Sequence, residues 1–175
     1  MSIYNEILKE IALNPDHFKI MIFFVSARMT GFLADLCRKA KLPVCEMHSR
    51  KSQSYRTKVA DQYKNGKQMI MFTSNVSARG VDYPNVTLIV QVGVTEREPY
   101  IHRLGRTARS SGIEGRGVLL LAPFEKGYMD RQLKGLPISE IEYKKPSTEI
   151  SKIINGVLSK VQKDPELLKS AELCY

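Results

Sequence analysis

Residues 20–25 form an unbroken apolar run rich in β-branched and aromatic side chains. A strand that is apolar at every position must be covered on both faces. Residues 19–25 therefore read as a buried strand, and residues 86–92 read the same way. Shorter strands are predicted at 44–47, 68–72 and 117–121. Helical patterns lie between them. Residues 30–40 place Leu33, Leu36, Cys37 and Ala40 on one face and stop before Pro43. Ser52 is a ready N-cap for a helix reaching Tyr63, with Tyr55, Val59 and Tyr63 in register, and Asn65 with Gly66 ends it. Further helices are predicted at 99–108 and 124–134. Strands that alternate with helices imply an α/β fold, a parallel sheet with helices on both faces. Ligands of such sheets lie beyond the carboxyl ends of the strands.

A chain of 175 residues holds one such unit with an appendage. Residues 1–140 are assigned to the α/β unit and residues 141–175 to a helical extension. In the extension, Ile150, Ile153, Ile154, Val157 and Leu158 recur at helical spacing, and Asp164 with Pro165 starts another helix carrying Leu167 and Leu168. This tail is amphipathic, so it is expected to pack on the body or on a partner. The chain opens directly on an amphipathic pattern (Ile3, Ile7, Leu8, Ile11), so a piece of a longer protein is expected.

The net charge of +9 favours an anionic partner. It is concentrated: residues 48–67 hold Arg50, Lys51, Arg56, Lys58, Lys64 and Lys67 against Asp61 alone, whereas residues 142–175 are nearly balanced. Cys37, Cys45 and Cys174 make no CxxC pair, which points to reduced thiols and an intracellular setting. No metal-ligand spacing occurs. The longest apolar run, six residues, is far too short to cross a bilayer, and no signal peptide is expected.

Four polar segments follow strand ends. Ser26 and Arg28 offer a hydroxyl and a guanidinium, which suit a phosphate oxygen or simply a capped turn. The stretch 48–56 carries His48, Ser49, Arg50, Gln53 and Arg56. Gln53 and Arg56 lie in the first turn of a helix, where free N–H groups favour an anion; an exposed basic helix is the alternative. The loop 73–82 joins Ser74 and Asn75 to Arg79, Gly80 and Asp82. It either offers hydroxyls and amides to phosphates, with Asp82 accepting from a sugar, or is a plain polar loop. Residues 102–109 hold His102, Arg103, Arg106 and Arg109 with no carboxylate among them. If helical, His102, Arg106 and Arg109 share one face, and such an array suits a polyanion; a solvated basic face is the alternative. Gly105 costs about 1 kcal/mol within a helix relative to alanine, which a close approach of backbone or ligand would justify.

In this order, the four segments resemble the second, C-terminal RecA-like domain of a DEAD-box RNA helicase. Residues 22–26 resemble motif IV. Gln53 and Arg56 match QxxR, preceded by His48. Residues 74–82 resemble motif V with its Ala-Arg-Gly-x-Asp core, and residues 102–109 match HRxGRxxR. The resemblance implies the remaining roles. Arg106 and Arg109 would be arginine fingers on the ATP γ-phosphate. Asp82 would hold the ribose, with Gly80 in the same ATP-facing loop. His102, Arg79 and Arg103 would face the other domain. Ser26, Arg28, Ser49, Gln53, Arg56, Ser74 and Asn75 would follow the RNA backbone, single-stranded or duplex, largely without regard to sequence.

Two positions depart from the family pattern: Ser49 replaces the usual Gly, and Asn75 the usual Asp. The sequence has no GxxxxGKS/T and no DEAD sequence. ATP, with its Mg²⁺, is therefore expected chiefly on a first RecA-like domain, and this chain alone is expected to be inactive. The helical extension resembles that of fungal mitochondrial RNA-chaperone helicases that assist splicing, which implies a mitochondrial matrix location. A monomer with no membrane partner is expected. Two other readings remain open: a stand-alone RNA- or protein-binding module, and the second domain of a superfamily 2 helicase outside the DEAD-box branch.

Overall fold

The computed structural model describes residues 2–75, 82–107, 115–141 and 148–174. Five parallel strands form one sheet in the order β2-β3-β1-β4-β5: β1 (Lys19–Phe23), β2 (Val44–Met47), β3 (Met69–Thr73), β4 (Leu88–Val92) and β5 (Arg116–Leu120). The helices are α1 (Ser2–Leu13), α2 (Ala27–Lys39), α3 (Gln53–Asn65), α4 (Arg97–Leu104), α5 (Lys126–Gln132), α6 (Thr148–Lys163) and α7 (Pro165–Glu172).

Alternation along the central strands assigns two cores. Ile20, Ile22, Ile70, Phe72, Leu88 and Val90 face α1 and α2, where they meet Ile7, Ala34 and Cys37. Met21, Phe23, Met71 and Ile89 face the opposite side with Met47, Tyr83 and Val59 and Tyr63 of α3. All five residues of β1 are buried: Ile20 to Phe23 are the apolar positions a strand covered twice requires, and Lys19 donates its ammonium to Lys64 O at 2.9 Å. Full burial of each large apolar side chain contributes roughly 1.5–3 kcal/mol.

Every predicted strand is present, with ends shifted by one or two residues. Ser52 caps α3 as expected: its Oγ accepts from the Tyr55 amide at 3.3 Å. The helix predicted at 99–108 is shorter and earlier. It closes at Leu104 with Gly105 as its C-cap, and the Thr107 hydroxyl donates to the Val86 carbonyl at 2.5 Å. His102 and Arg106 therefore do not share a helical face, and Gly105 carries no mid-helix cost. An added Cβ at Gly105 would meet Ile101 O at an ordinary 3.4 Å. A tighter position is Gly117, where a Cβ would lie 2.2 Å from Leu104 Cδ1, so the Leu104 side chain at the end of α4 lies directly over β5 there. The segment predicted as a helix at 124–134 begins as a 3₁₀ turn over Pro123–Glu125 and leaves Phe124 exposed.

The extension packs on α2 through α7 and α6. Lys39 pairs with Asp164, Arg28 Nη1 donates to Leu173 O at 3.3 Å, and Val161 and Leu167 are buried. The side chains of Ile150, Ile153, Ile154 and Val157 lie outside the described residues. Among the described residues, no helix is long and apolar enough to cross a membrane.

Candidate nucleotide and nucleic-acid interface

Because the sheet is wholly parallel, all its carboxyl ends lie along one edge. The neighbours β1, β3 and β2 deliver three of the four polar segments there. After β1, Ser26 caps α2, its Oγ accepting from the Met29 amide at 3.1 Å. Arg28 follows, exposed, in the first turn. After β3, the Ser74 amide donates to Met47 O at 3.2 Å, which joins the ends of β3 and β2.

After β2, His48 is buried while Ser49 and Arg50 are exposed. Gln53 is exposed at the start of α3. Arg56 is half-buried, and its Nε is enclosed without a hydrogen-bond partner. Beneath this loop lies Glu46, 3% exposed. Its carboxylate meets Lys51 Nζ at 2.8 Å, Arg38 Nη2 at 3.0 Å and His48 Nε2 at 3.1 Å. Burial pushes the Glu46 carboxyl up, but hydrogen bonds and charge from Lys51 and Arg38 outweigh it and hold it below its ordinary value.

The fourth segment divides into an inner and an outer part. Arg103, expected at the interdomain face, is turned inward and only 4% exposed. Its Nη1 donates to Gln91 Oε1 at 3.3 Å, its Nη2 donates to Asn75 Oδ1, and its guanidinium lies 5.3 Å from the centre of the Phe23 ring. Arg103 thus ties α4 to the loop after β3, and the amide expected on RNA is engaged by it. Gln91 Nε2 in turn donates to Tyr100 O at 3.1 Å. Burial lowers the Arg103 pKa.

His102 points outward. Its Nε2 lies 3.9 Å from Glu98 Oε1, so a carboxylate one turn earlier partly answers the positive cluster. Arg106 follows the helix end, its amide donating to Arg103 O at 3.1 Å, and its charge reaches Tyr83. Burial raises the buried Tyr83 phenol to about 12, against the opposing pull of Arg106. Asp82, exposed, adjoins Tyr83. The structure thus brings Arg106 near Tyr83, the residue that follows Asp82. Arg79, Gly80 and Arg109 lie outside the described residues.

Sequence reasoning missed Glu46. Its signal was a lone carboxylate inside a short apolar strand, two residues before His48 and five before Lys51. It also missed the inward turn of Arg103, which the apolar Tyr100 three residues earlier marks as the buried face of α4.

A five-stranded parallel sheet flanked by helices, with its polar loops on the carboxyl edge, defines the RecA-like class of α/β domain. The family described as the helicase conserved C-terminal domain matches residues 3–111. The chain is 47% identical over 175 residues to DEAD-box ATP-dependent RNA helicase 31 of Oryza sativa subsp. japonica, and 48% identical over 176 residues to DEAD-box ATP-dependent RNA helicase 26 of Arabidopsis thaliana. Each match covers 99% of this chain, which spans 31% and 20% of those relatives. Among solved structures it is similar to domain 2 of the DEAD-box helicase Mss116p bound to an RNA duplex, with a TM-score of 0.80 and 34% identity over 95% of this chain and 66% of that one. It is also similar to Mss116p bound to single-stranded RNA and AMP-PNP, with a TM-score of 0.79 and 32% identity over 99% of this chain and 34% of that one. The chain belongs to the helicase conserved C-terminal domain family, in its DEAD-box RNA helicase branch.

Proposed function

We propose that this chain is the half of an ATP-dependent RNA helicase that grips RNA and triggers ATP hydrolysis. The observation that carries the reading is the convergence of polar loops from three adjacent strands, β1, β3 and β2, on one edge of the sheet. Ser26, Arg28, Ser49, Gln53, Arg56 and Ser74 offer hydroxyls, amides and guanidinium groups there, which suit a phosphate backbone and carry no base code. Asn75 joins them through the part of its amide that Arg103 leaves available.

Asp82 accepts from the ribose of ATP, with Gly80 in the same loop. Arg106 and Arg109 stabilise charge on the γ-phosphate, and His102 and Arg79 face a first RecA-like domain. That domain supplies the phosphate cradle. Mg²⁺ would sit on the ATP phosphates, held mainly by that first domain. Residues 1–140 form the RecA-like unit and residues 141–175 an extension. The packing of that extension on α2 supports the finer reading of an RNA chaperone in splicing, of the fungal mitochondrial kind. A monomer in the mitochondrial matrix is part of the same proposal.

The test is RNA binding by the chain itself, using two labelled duplexes of unrelated sequence. With about four phosphates contacted, affinity is expected to fall ~100-fold between about 50 and 200 mM salt and to be the same for both sequences. Binding that ignores salt, or that separates the two duplexes more than about tenfold, would contradict backbone recognition.

A further inference from the structure

Glu46 is buried on β2, on the same strand face as Val44, and looks toward α2. Helix α2 passes it at Gly31, where an added Cβ would lie 3.6 Å from Glu46 Oε2 and 3.5 Å from His48 Nε2. The His48 ring is the link to the loop. Its Nδ1 accepts from the Arg50 amide at 3.3 Å, so Nδ1 carries no hydrogen. The hydrogen of the neutral ring is then on Nε2, which donates to Glu46 Oε2 at 3.1 Å. The other carboxylate oxygen takes Lys51 and Arg38. One buried carboxylate therefore sets the tautomer of His48, the direction of the Arg50 backbone and the side chain of Lys51.

Between these anchors lie exposed Ser49 and Arg50, and directly after them Ser52 starts α3 with Gln53 and Arg56. The same carboxylate offsets a crowd of cations. Arg28, Arg50 and Lys51 line one open cleft with Glu46 and His48, and Ser170 and Leu173 of the extension line it too. Without Glu46, the charges that phosphates neutralise would repel one another in the RNA-free protein.

We propose that Glu46, acting through His48 and Lys51, is a positioning residue that presets the loop 48–52 for the RNA backbone. It touches no RNA itself, because it is buried, and the proposal rests on the RNA reading given above. A carboxylate that orients a histidine which orients a backbone amide is a chain of charge-assisted hydrogen bonds, and such chains weaken as a unit when one link is cut.

The experiment uses the 175-residue chain with Glu46→Gln, His48→Asn and both changes together. Glutamine keeps the size of Glu46 but loses the charge that holds His48, Lys51 and Arg38. Asparagine at 48 keeps an acceptor for the Arg50 amide but cuts the link to Glu46, so it tests the relay even if Glu46→Gln fails to fold. Affinity for a labelled RNA duplex is measured well below each variant's Tm, together with the ring nitrogen NMR shifts of His48. Each single change is expected to weaken duplex binding about 10-fold, the loss of one charge-assisted link. The double change should be no worse than the worse single one. Ring shifts in the unaltered chain should place the hydrogen on Nε2, and Glu46→Gln should disturb that state. Single variants that bind within twofold of the unaltered chain, or losses that simply multiply, would overturn the proposal while leaving the RNA reading intact. Failure of the unaltered chain to bind any duplex would overturn the RNA reading and the proposal with it.

Discussion

Alanine at Arg106 is expected to slow RNA-stimulated ATP hydrolysis about 1,000-fold when this chain is joined to an ATP-holding first domain. Arg106 leaves the end of α4 with its amide fixed on Arg103 O, and its charge lies close enough to act on Tyr83. In the proposed role, its guanidinium would meet charge that grows on the γ-phosphate, an interaction that acts mainly on the transition state. The loss should therefore fall on kcat, with nucleotide KM changing much less. Lysine should rescue poorly, because a point charge cannot reproduce the planar fork. Single-turnover hydrolysis with separate nucleotide titration separates the two effects. Unchanged kcat with weakened ATP binding would reassign Arg106 to ground-state binding.

The second large effect concerns folding. Arg103→Ala is expected to cost about 3 kcal/mol and to lower Tm by roughly 6–12 °C in thermal unfolding. Its guanidinium is the donor that satisfies Asn75 Oδ1 and Gln91 Oε1, and it covers the Phe23 ring. Removal leaves a cavity beside Phe23 and an orphaned acceptor on buried Gln91. The reciprocal change sharpens the argument. Asn75→Asp gives a buried guanidinium the carboxylate it lacks among the described residues, and should raise stability by about 1–2 kcal/mol. A neutral or destabilising Asn75→Asp would show that the amide pair already meets the needs of Arg103.

The fold was largely legible because its determinants are local. Apolar residues 20–24 are buried as cover on both faces requires, although Val25 is exposed, Ser52 is an N-cap whose hydroxyl accepts from Tyr55, and Pro43 cannot continue a helix. The placement of the candidate residues was legible where it depends only on following a strand, as with Ser26 after β1, Gln53 after β2 and Ser74 after β3. It was not legible where direction decides. The pattern of residues 102–109 looks helical throughout, but Gly105 caps the helix and the Thr107 hydroxyl donates to the Val86 carbonyl, so Arg106 lies beyond the helix that carries His102. Nor does that pattern tell which arginine faces inward. Arg103 goes in because Gln91, Asn75 and Phe23, distant in sequence, build a polar pocket over an aromatic ring. Glu46 escaped notice for the same reason, since Arg38, His48 and Lys51 converge on it only once β2 lies beside α2.

The central claim is that this chain supplies the RNA grip and the arginine trigger but not the ATP cradle. The most direct measurement is ATP hydrolysis, with and without RNA, by the chain alone and by the chain joined to a first RecA-like domain bearing a P-loop and a DEAD sequence. The account predicts no hydrolysis from the chain alone and RNA-stimulated hydrolysis from the joined protein. Hydrolysis by the chain alone, or a joined protein whose rate ignores RNA, would contradict it.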